Sequence, residues 1–450
     1  MSASGERLFE PARTVPLFGR YEVVVLGGGP AGIAAAAAAA SAGCSTCLVE
    51  RYGFLGGMGT AAGVTNFCGL YANVFGDIRK VVTGVADAVL DRIDRLGGLN
   101  APHVVLGRTK AQAYDTAAYK CAADDLLQSA GAEILFHALA AGAIMDDDEP
   151  SRIRALLVET KSGRQALAAE IFIDASGDGD LAAWAGAAYT VGDGAGNMMY
   201  PTTMFRLNGV DPDRAGDAWR TIPERMADAE RAGRRRFPRQ GAIVRPQKHS
   251  SEWRINVTQL RGADGRAISG IDARAFSAGE IQGRAQALAF LDFLRDEVPG
   301  FADAYVIDIA PQIGIRETRR VAGRYELTAS DVLSCADFTD SIGLNGWPLE
   351  KHVAGTVEWV WPPIPDSRGY NQLPYRMLLP PGIANLLVAG RCAAMDHEAQ
   401  SAARVSGACF VMGQAAGTAA HLARRQGVDP ADVDIGALQR ALEHQGAMLG

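Results

Sequence analysis

The sequence predicts an α/β fold in which a Rossmann-like domain, built on a parallel sheet, carries an inserted mixed α+β domain. Three observations predict this fold. A strand, a glycine-rich turn, a helix and a second strand follow one another within residues 22–50. A later strand also leads into a glycine-rich turn, at residues 171–180. Between residues 200 and 375 this alternation disappears and most of the tryptophans occur, which indicates a second domain.

The first βαβ unit begins with a β-branched run, Glu22–Leu26, which is typical of a strand buried on both faces. Three glycines follow, and Ile33–Ala42 is almost entirely alanine, the best helix former. A second apolar strand, Thr46–Val49, completes a unit that must be parallel and right-handed.

The turn has the spacing of the dinucleotide fingerprint, with glycines at positions 27, 29 and 32 and Glu50 at the end of the second strand. The first glycine permits the tight turn, the second lets backbone approach a pyrophosphate, and the third lets the helix pack on the strand. Free N–H groups at the helix N-terminus bind phosphates. Because Glu50 would accept hydrogen bonds from ribose hydroxyls, the motif favours FAD or NAD over NADP.

Helices and strands continue to alternate after this unit. Tyr114–Ser129 has helical spacing, and Gly131–Ile144 predicts a strand, a turn and a second strand. Ile153–Thr160 and Leu167–Ile173 predict a hairpin, and Leu181–Ala185 predicts the helix after the second glycine turn.

The later part of the chain contains three further features. Arg231–Arg239 is interpreted as a solvated helix end and loop, with binding of an anionic partner as the alternative. Asn385–Ala389 predicts a buried strand, and Ala402–Arg425 predicts one long helix rich in glycine and alanine.

A second glycine-rich turn favours FAD over NAD. Residues 51–58, RYGFLGGM, follow Glu50 directly and suit a long cofactor whose ring extends past the second strand. No second GxGxxG motif follows a strand, so no separate site for NAD(P)H is predicted. The sequence therefore predicts a discontinuous FAD-binding domain (15–200 and 376–430) and a substrate or cap domain (201–375).

Several stretches resemble the FAD-dependent oxidoreductases of the glutathione-reductase-like flavoprotein superfamily, and more narrowly relatives of the heterodisulfide reductase flavoprotein subunit. They are VVVLGGGPAGIAAA (23–36), ERYGFLGGMGTAAGV (50–64), DASGDGDLAAWAGA (174–187), IAPQIGIRETRRVAGRYELTASDV (309–332), DSIGLNGWPLEKH (340–352), LPYRMLLPPGIANLLVAGRC (373–392) and RVSGACFVMGQAAGTAA (404–420). Residues 200–300, where substrate identity would be encoded, match little.

This resemblance implies FAD as the cofactor and assigns contacts along it. Glu50 would bind the adenosine ribose, residues 56–60 would line the flavin, 176–178 would close over the adenine-pyrophosphate side, and 390–391 would lie beside the ribityl chain. The helix start at 406–408 would point its N–H groups at the flavin C2 carbonyl. The implied contacts are Gly27, Gly29, Pro30, Ala31, Gly32, Glu50, Arg51, Gly56, Gly57, Met58, Thr60, Ala140, Ser176, Gly177, Asp178, Gly390, Arg391, Ser406, Gly407 and Ala408.

Four residues before or after the last predicted strand are candidate catalytic groups over the flavin: His397, Arg376, His352 and Tyr375. His397 is the first choice for general base because imidazole titrates near neutral pH; the alternative is a surface or supporting histidine. Arg376 would clamp a substrate carboxylate or serve as a structural ion-pair partner. The alternating charges of Arg316, Glu317 and Arg319 in GIRETRR (314–320) predict a buried ion-pair network that supports the site.

Cys44 and Cys47 have the spacing of a redox disulfide or of half a zinc site. Cys47 falls in a predicted buried strand and no second CxxC is present, so two small core residues are favoured and no metal is predicted. Residues 52–63 contain no cysteine, which disfavours a pyridine-nucleotide–disulfide mechanism, and the iron–sulfur spacing CxxCxxC is absent.

Composition limits the partners and the compartment. The 450 residues carry a formal charge of −7, and no apolar run reaches the roughly eighteen residues of a membrane span, so neither nucleic acid nor membrane is a predicted partner. Glu6, Glu10, Pro11 and Pro16 disfavour a secretory signal, and an odd number of cysteines, seven, predicts a cytoplasmic protein.

The predicted function is an FAD-dependent dehydrogenase or oxidase that takes a hydride from a small organic substrate to flavin N5 and passes electrons to oxygen or another acceptor. One alternative is a flavin-containing electron-transfer subunit of a multi-protein redox complex. Another is a scaffold that keeps FAD only for folding. The substrate, the acceptor and a homo-oligomeric state stay open.

Overall fold

The computed structural model describes residues 8–450; Glu6 lies outside the described residues. The strands are β1 (Leu17–Leu26), β2 (Thr46–Val49), β3 (Asn66–Phe67), β4 (Tyr71–Val74), β5 (Asp77–Lys80), β6 (His103–Val105), β7 (Thr109–Ala113), β8 (Glu133–Leu135), β9 (Leu139–Met145), β10 (Ile153–Thr160), β11 (Gly163–Asp174), β12 (Tyr189–Val191), β13 (Met204–Asn208), β14 (Ile243–Pro246), β15 (Trp253–Asn256), β16 (Tyr305–Ile309), β17 (Arg319–Val321), β18 (Ser341–Asn345), β19 (Leu349–Val353), β20 (Thr356–Val360), β21 (Asn371–Pro374) and β22 (Leu386–Val388).

The helices are α1 (Pro30–Ser41), α2 (Met58–Ala61), α3 (Val85–Arg95), α4 (Thr116–Ala130), α5 (Asp180–Trp184), α6 (Pro212–Ala215), α7 (Ala218–Arg231), α8 (Ala273–Glu297), α9 (Ala329–Leu333), α10 (His397–Ala403), α11 (Ser406–Gln426) and α12 (Ile435–His444), with 3-10 turns at Tyr375–Leu378 and Pro430–Asp432. None of the described helices is long and apolar enough to cross a bilayer.

The central sheet has the strand order β8-β2-β1-β11-β10-β9, and β22 pairs with β11. Strand β1 is parallel to both β2 and β11, and β22 is parallel to β11. Strands β9 and β10 extend the sheet through antiparallel pairing. The predicted α/β fold with a Rossmann-like parallel core is confirmed, and the first unit is β1-α1-β2.

Helices α1, α3, α4, α11 and α12 form one hydrophobic core with one face of the sheet. Ten consecutive residues of α1, from Ala31 to Ala40, are buried, because small side chains let helices approach from several sides. A second core, containing Leu26, Val49 and Leu181, covers the opposite face. The sheet that carries α1 is therefore covered on both faces.

A four-stranded antiparallel sheet of order β14-β15-β13-β16 lies in the middle of the chain. With α7 and α8 it encloses a separate core that includes Phe205, Trp253 and Phe293. The later part of the predicted cap domain behaves differently, because Leu344 and Leu373 belong to the core of α1 and α11. The exact division into domains stays a prediction.

The predicted hairpin is confirmed, with Thr160 paired to Gly163. The single helix predicted over Ala402–Arg425 is wrong: α10 and α11 are separated by Arg404 and Val405. Val405 has extended backbone (φ −74°, ψ 163°), and the Gly407 N–H donates to the Cys68 carbonyl instead of continuing a helix. A contact with a distant loop therefore fixes the break.

The basic run also differs from its interpretation as a solvated helix end and loop. The Arg231 side chain is 72% exposed and pairs with Asp228, as expected for a solvated helix end. Arg239, at the end of the run, is only 2% exposed.

Candidate cofactor site and active site

Two glycine turns, at 27–32 and 56–57, face each other at the start of α1 and are called here the glycine cradle. α1 begins at Pro30 with no side-chain cap and no acidic residue in its first turn. A Cβ on Gly57 would stand 2.7 Å from the Cα of Gly29, so only backbone separates the two turns. An uncapped helix N-terminus lined by backbone fits a diphosphate.

The other fingerprint glycines are needed for packing. Gly27 has φ +100°, and a Cβ there would lie 2.5 Å from the carbonyl oxygen of Ala175. A Cβ on Gly32 would lie 1.7 Å from the Gly27 carbonyl oxygen. Any side chain at either position would push α1 off the sheet, which agrees with the roles predicted from the sequence.

Glu50 lies at the end of β2 and is 7% exposed. Its Oε2 accepts a 2.7 Å hydrogen bond from the Gly28 N–H, and its Oε1 accepts one of 3.0 Å from the Tyr52 N–H. Each carboxylate oxygen keeps a further lone pair, so the fixed carboxylate can still accept ribose hydroxyls.

The turn after Glu50 is tied to the fingerprint turn. The Gly56 N–H donates to the Gly28 carbonyl over 2.8 Å. The Thr60 hydroxyl donates to the Leu55 carbonyl over 2.7 Å and is buried, so Thr60 shapes this turn. Met58 begins α2 directly after the cradle.

Gln312 is a site residue that sequence reasoning missed. Its side-chain oxygen accepts a 2.6 Å hydrogen bond from Arg51 and a second one from the Tyr52 hydroxyl. Its backbone N–H donates to the Ala61 carbonyl. The segment holding Gln312 therefore crosses over α2. The sequence signal that could have indicated Gln312 is its position in the stretch 309–332, which resembles the flavoprotein family.

The turns that follow β11 and β22 also lie near the start of α1. A Cβ on Gly390 would lie 3.0 Å from the Cβ of Ala31, at the start of α1. Arg391 pairs with Asp178 over 2.8 Å and donates through Nε to the Gly177 carbonyl over 2.8 Å. The predicted residues of these two turns thus bind each other.

Two other predicted contacts are less central. The Ser176 hydroxyl donates to Asp174 over 2.6 Å, within the turn after β11. Ala140 lies in β9 opposite Val158. Ala138, two residues earlier, donates its N–H to the Glu50 carbonyl over 3.1 Å.

The start of α11 contacts the loop before β4. Ser406 Oγ accepts from the Cys68 N–H over 3.0 Å, and the Gly407 N–H donates to the Cys68 carbonyl over 2.9 Å. Ala408 follows and is buried. The predicted helix terminus exists, but one of its three donors already has a protein partner.

His397 and His352 line one cavity of about 900 Å³. His397 Nδ1 lies 3.0 Å from Glu317, and this hydrogen bond raises the pKa of the imidazole. Glu317 is buried, pairs with Arg320 and accepts the Met199 N–H over 2.9 Å. The predicted network of Arg316, Glu317 and Arg319 is wrong in its members: buried Glu317 pairs with Arg320, whereas Arg316 donates to the Tyr200 carbonyl and Arg319 pairs with Asp180 over 2.8 Å. Glu317 holds His397 at the cavity wall.

His352 is 4% exposed, and its Nε2 lies 3.2 Å from Glu350. Burial and then the charge of Arg316 lower the pKa of this imidazole well below its ordinary value, in spite of Glu350. Burial therefore disfavours the protonated form of His352, whose ring lies within hydrogen-bond distance of Glu350.

The other two catalytic candidates have structural partners away from this cavity. Tyr375 is 1% exposed, and its hydroxyl donates to the Pro430 carbonyl over 2.7 Å. Arg376 pairs with Asp340 over 3.0 Å and lies over the Tyr325 ring. Of the two sequence interpretations of Arg376, the contacts favour the structural ion pair.

Comparison with protein-family models identifies the broad class. A family model described as FAD dependent oxidoreductase matches residues 22–442. A solved geranylgeranyl bacteriochlorophyll reductase-like protein from Thermoplasma acidophilum is 14% identical, with 94% of this chain and 82% of that chain covered and a TM-score of 0.48.

Two further solved structures are similar at comparable levels. A p-nitrophenol 4-monooxygenase from Pseudomonas putida is 12% identical, with 94% and 84% of the two chains covered and a TM-score of 0.45. A myxobacterial chondrochloren halogenase is 12% identical, with 95% and 79% covered and a TM-score of 0.44. No curated protein sequence matches the chain.

Proposed function

Because the chain belongs to the family of FAD-dependent oxidoreductases, we propose that it is a dehydrogenase or oxidase of a small organic substrate. Bound FAD supplies a two-electron acceptor at flavin N5. The glycine cradle would hold the pyrophosphate, Glu50 the adenosine ribose, and the start of α11 the flavin ring. The proposal is supported by a single dinucleotide fingerprint in the sequence, with no second one for NAD(P)H.

The observation that carries the proposed chemistry is His397 at the cavity wall, fixed by the buried carboxylate of Glu317. Oxidation removes a hydride from a substrate C–H bond and a proton from a neighbouring O–H or N–H. In its neutral form His397 would accept that proton. The electrons then leave to oxygen or to another acceptor, and the substrate is oxidised by two electrons.

Within the family, we propose a place in the glutathione-reductase-like superfamily, near relatives of the heterodisulfide reductase flavoprotein subunit. The combination of motifs at both ends of the chain supports it. A cytoplasmic location belongs to the same proposal and is supported by seven cysteines that are all free thiols.

The test is anaerobic mixing of the holoprotein with pools of candidate metabolites, followed by flavin absorbance. Bleaching by a substrate pool, with slow or no reduction by NADPH alone, is the expected result. Rapid stoichiometric reduction by NADPH without substrate would overturn the proposal and favour a monooxygenase or reductase. Reduction only in the presence of a co-purifying iron–sulfur protein would favour the electron-transfer subunit.

A further inference from the structure

Four arginines from four separate parts of the chain converge in the interior. Arg239 precedes β14, Arg254 lies in β15, and each is 2% exposed. Arg316 follows β16 and is 6% exposed, and Arg404 lies between α10 and α11 and is partly buried. These four residues are called here the arginine cluster.

The cluster has too little negative charge nearby. Among residues 8–450, Glu350 is the carboxylate whose negative charge favours the protonated form, and so raises the pKa, of all four arginines. Its two oxygens are taken by Trp347 Nε1 at 2.9 Å and His352 Nε2 at 3.2 Å rather than by a guanidinium. Four guanidinium groups therefore face one carboxylate, and three positive charges are in excess.

The electrostatics of Glu350 agree with this imbalance. Burial alone would raise the pKa of its carboxyl, but the hydrogen bond and charge of His352, and then the charge of Arg404, outweigh burial and lower the pKa to about 2. Burial and then the charges of Arg404 and Arg239 lower the pKa of Arg316. A group of like charges held in the interior is costly unless an anion joins it.

Several guanidinium nitrogens also lack hydrogen-bond partners. Nε and Nη1 of Arg239, Nε of Arg254 and Nε of Arg404 are buried and have no partner among the described residues. The remaining nitrogen of Arg239 donates to the Asn256 carbonyl over 2.9 Å. Arg254 Nη1 reaches only the Met204 sulfur, at 4.0 Å. Unpaired buried donors in several arginines indicate a missing acceptor.

The cluster has neighbours both at the start of α11 and in the wall of the cavity. Arg404 is two residues before Ser406, the first residue of the helix expected at the flavin C2 carbonyl. Arg316 donates to the carbonyl of Tyr200, over 2.6 Å, and Tyr200 lines the cavity. We therefore expect a ligand of the cluster to be reached from the cavity and to lie on the flavin side of it.

We propose that the arginine cluster binds a small organic substrate that carries at least two carboxylate or phosphate groups. That the ligand is a substrate rests on the proposed function. The binding of the anion to the cluster does not depend on that function. Guanidinium forks match both groups in bidentate fashion, and two such anionic groups would neutralise most of the excess charge.

The test measures binding without turnover. The holoprotein is titrated with succinate, citrate, a phosphate monoester and, as the singly charged comparison, acetate, and flavin absorbance and melting temperature are recorded. We expect the multiply charged anions to perturb the spectrum and raise the melting temperature more than acetate does. Comparison of the carboxylates with the phosphate ester identifies which anion the site prefers.

The variants are Arg239→Met and, as a control from the same basic run, the exposed Arg231→Gln. Arg239→Met should keep FAD, melt at the same or a higher temperature without anion, and bind the preferred anion at least about tenfold more weakly. Arg231→Gln should behave as the wild type. Because methionine replaces an unpaired buried charge, a folded variant is expected.

Three results would overturn the inference. One is equal binding of acetate and the multiply charged anions. Another is unchanged anion affinity in a folded Arg239→Met. The third is loss of FAD from this variant together with no anion binding to the wild-type protein, since the cluster would then serve the cofactor. If Arg239-dependent binding is found but no substrate ever bleaches the flavin, the site stands and the proposed function fails.

Discussion

Gly413 of α11 lies against the backbone of Ala31 in the first turn of α1: a Cβ built on Gly413 would stand 2.0 Å from the Ala31 carbonyl oxygen. One helical turn further, Gly417 has the same relation to Ala35, at 2.2 Å. The helix expected to face the flavin ring thus touches the helix expected to bind the pyrophosphate. The two ends of the cofactor site are coupled through backbone contact.

Substitution of Gly413 by alanine tests this coupling. The added Cβ meets a backbone oxygen that cannot rotate away, so α1 and α11 must separate at about 1–3 kcal/mol. We expect a lower melting temperature and a reduced ratio of FAD to protein after purification. The control is Gly436→Ala in α12, where the Cβ meets only side-chain atoms, Arg440 Nη1 at 3.2 Å and Asp434 Oδ1 at 3.3 Å. Full FAD content in Gly413→Ala would show that the contact does not set the cofactor site.

Glu50→Gln tests the acid that would hold the ribose. The carboxylate accepts from Gly28 and Tyr52 through different oxygens, whereas an amide can accept through only one. One buried backbone donor is left unpaired at about 1–3 kcal/mol, and FAD affinity should fall by roughly 5- to 150-fold. Fluorescence titration of apoprotein with FAD measures it. Asp147→Asn, at a side chain 91% exposed, is the matched control and should bind FAD normally.

The β1-α1-β2 unit could be predicted from the sequence because its determinants are local. The alanine run determines the helix and the glycine spacing determines the turn. Strand β2 ends at Val49, as predicted, and Glu50 follows it directly. The pairing of Asp178 with Arg391 could not be predicted, since it joins residues far apart in the chain. The sequence indicates that each turn belongs to the site but not which partner it takes.

The break between α10 and α11 and the burial of Arg239 have the same explanation. A run of small residues over 402–425 is compatible with one helix, and only the Cys68 loop interrupts it. Arg239 ends a run of arginines that is otherwise typical of a solvated surface, and its burial depends on the packing of β14 and β15. Tertiary contacts overrule local pattern at both places.

The pairing of His397 with Glu317 predicts a pH dependence. Because the hydrogen bond raises the pKa of His397 above its ordinary value of about 6.5, the neutral form that can act as a base is lost at a higher pH than in an unperturbed histidine. The rate of flavin reduction should fall as pH drops through this raised pKa. Glu317→Gln should move that acid limb to lower pH, and His397→Gln should abolish it.

The measurement is anaerobic stopped-flow reduction between about pH 5 and 9, on variants whose FAD content equals that of the wild type. Lys351→Met, which alters another residue of the cavity wall, is the control and should leave the limb in place. An acid limb that is identical in wild type and Glu317→Gln would assign the titration to another group.

Among substitutions in the glycine-rich turns, we expect Arg391→Lys to lower the stability of the protein most. Arg391 donates through its fork to the Gly177 and Ile315 carbonyls and to the Asp178 carboxylate, and it is 9% exposed. Lysine keeps the charge but cannot reach three acceptors in this geometry, so about 2–3 kcal/mol of unfolding free energy should be lost. Denaturant titration measures it, with the exposed Arg425→Lys as the matched control. Equal stability of Arg391→Lys and Arg425→Lys would mean that charge alone, and not the guanidinium fork, joins the turns after β11 and β22.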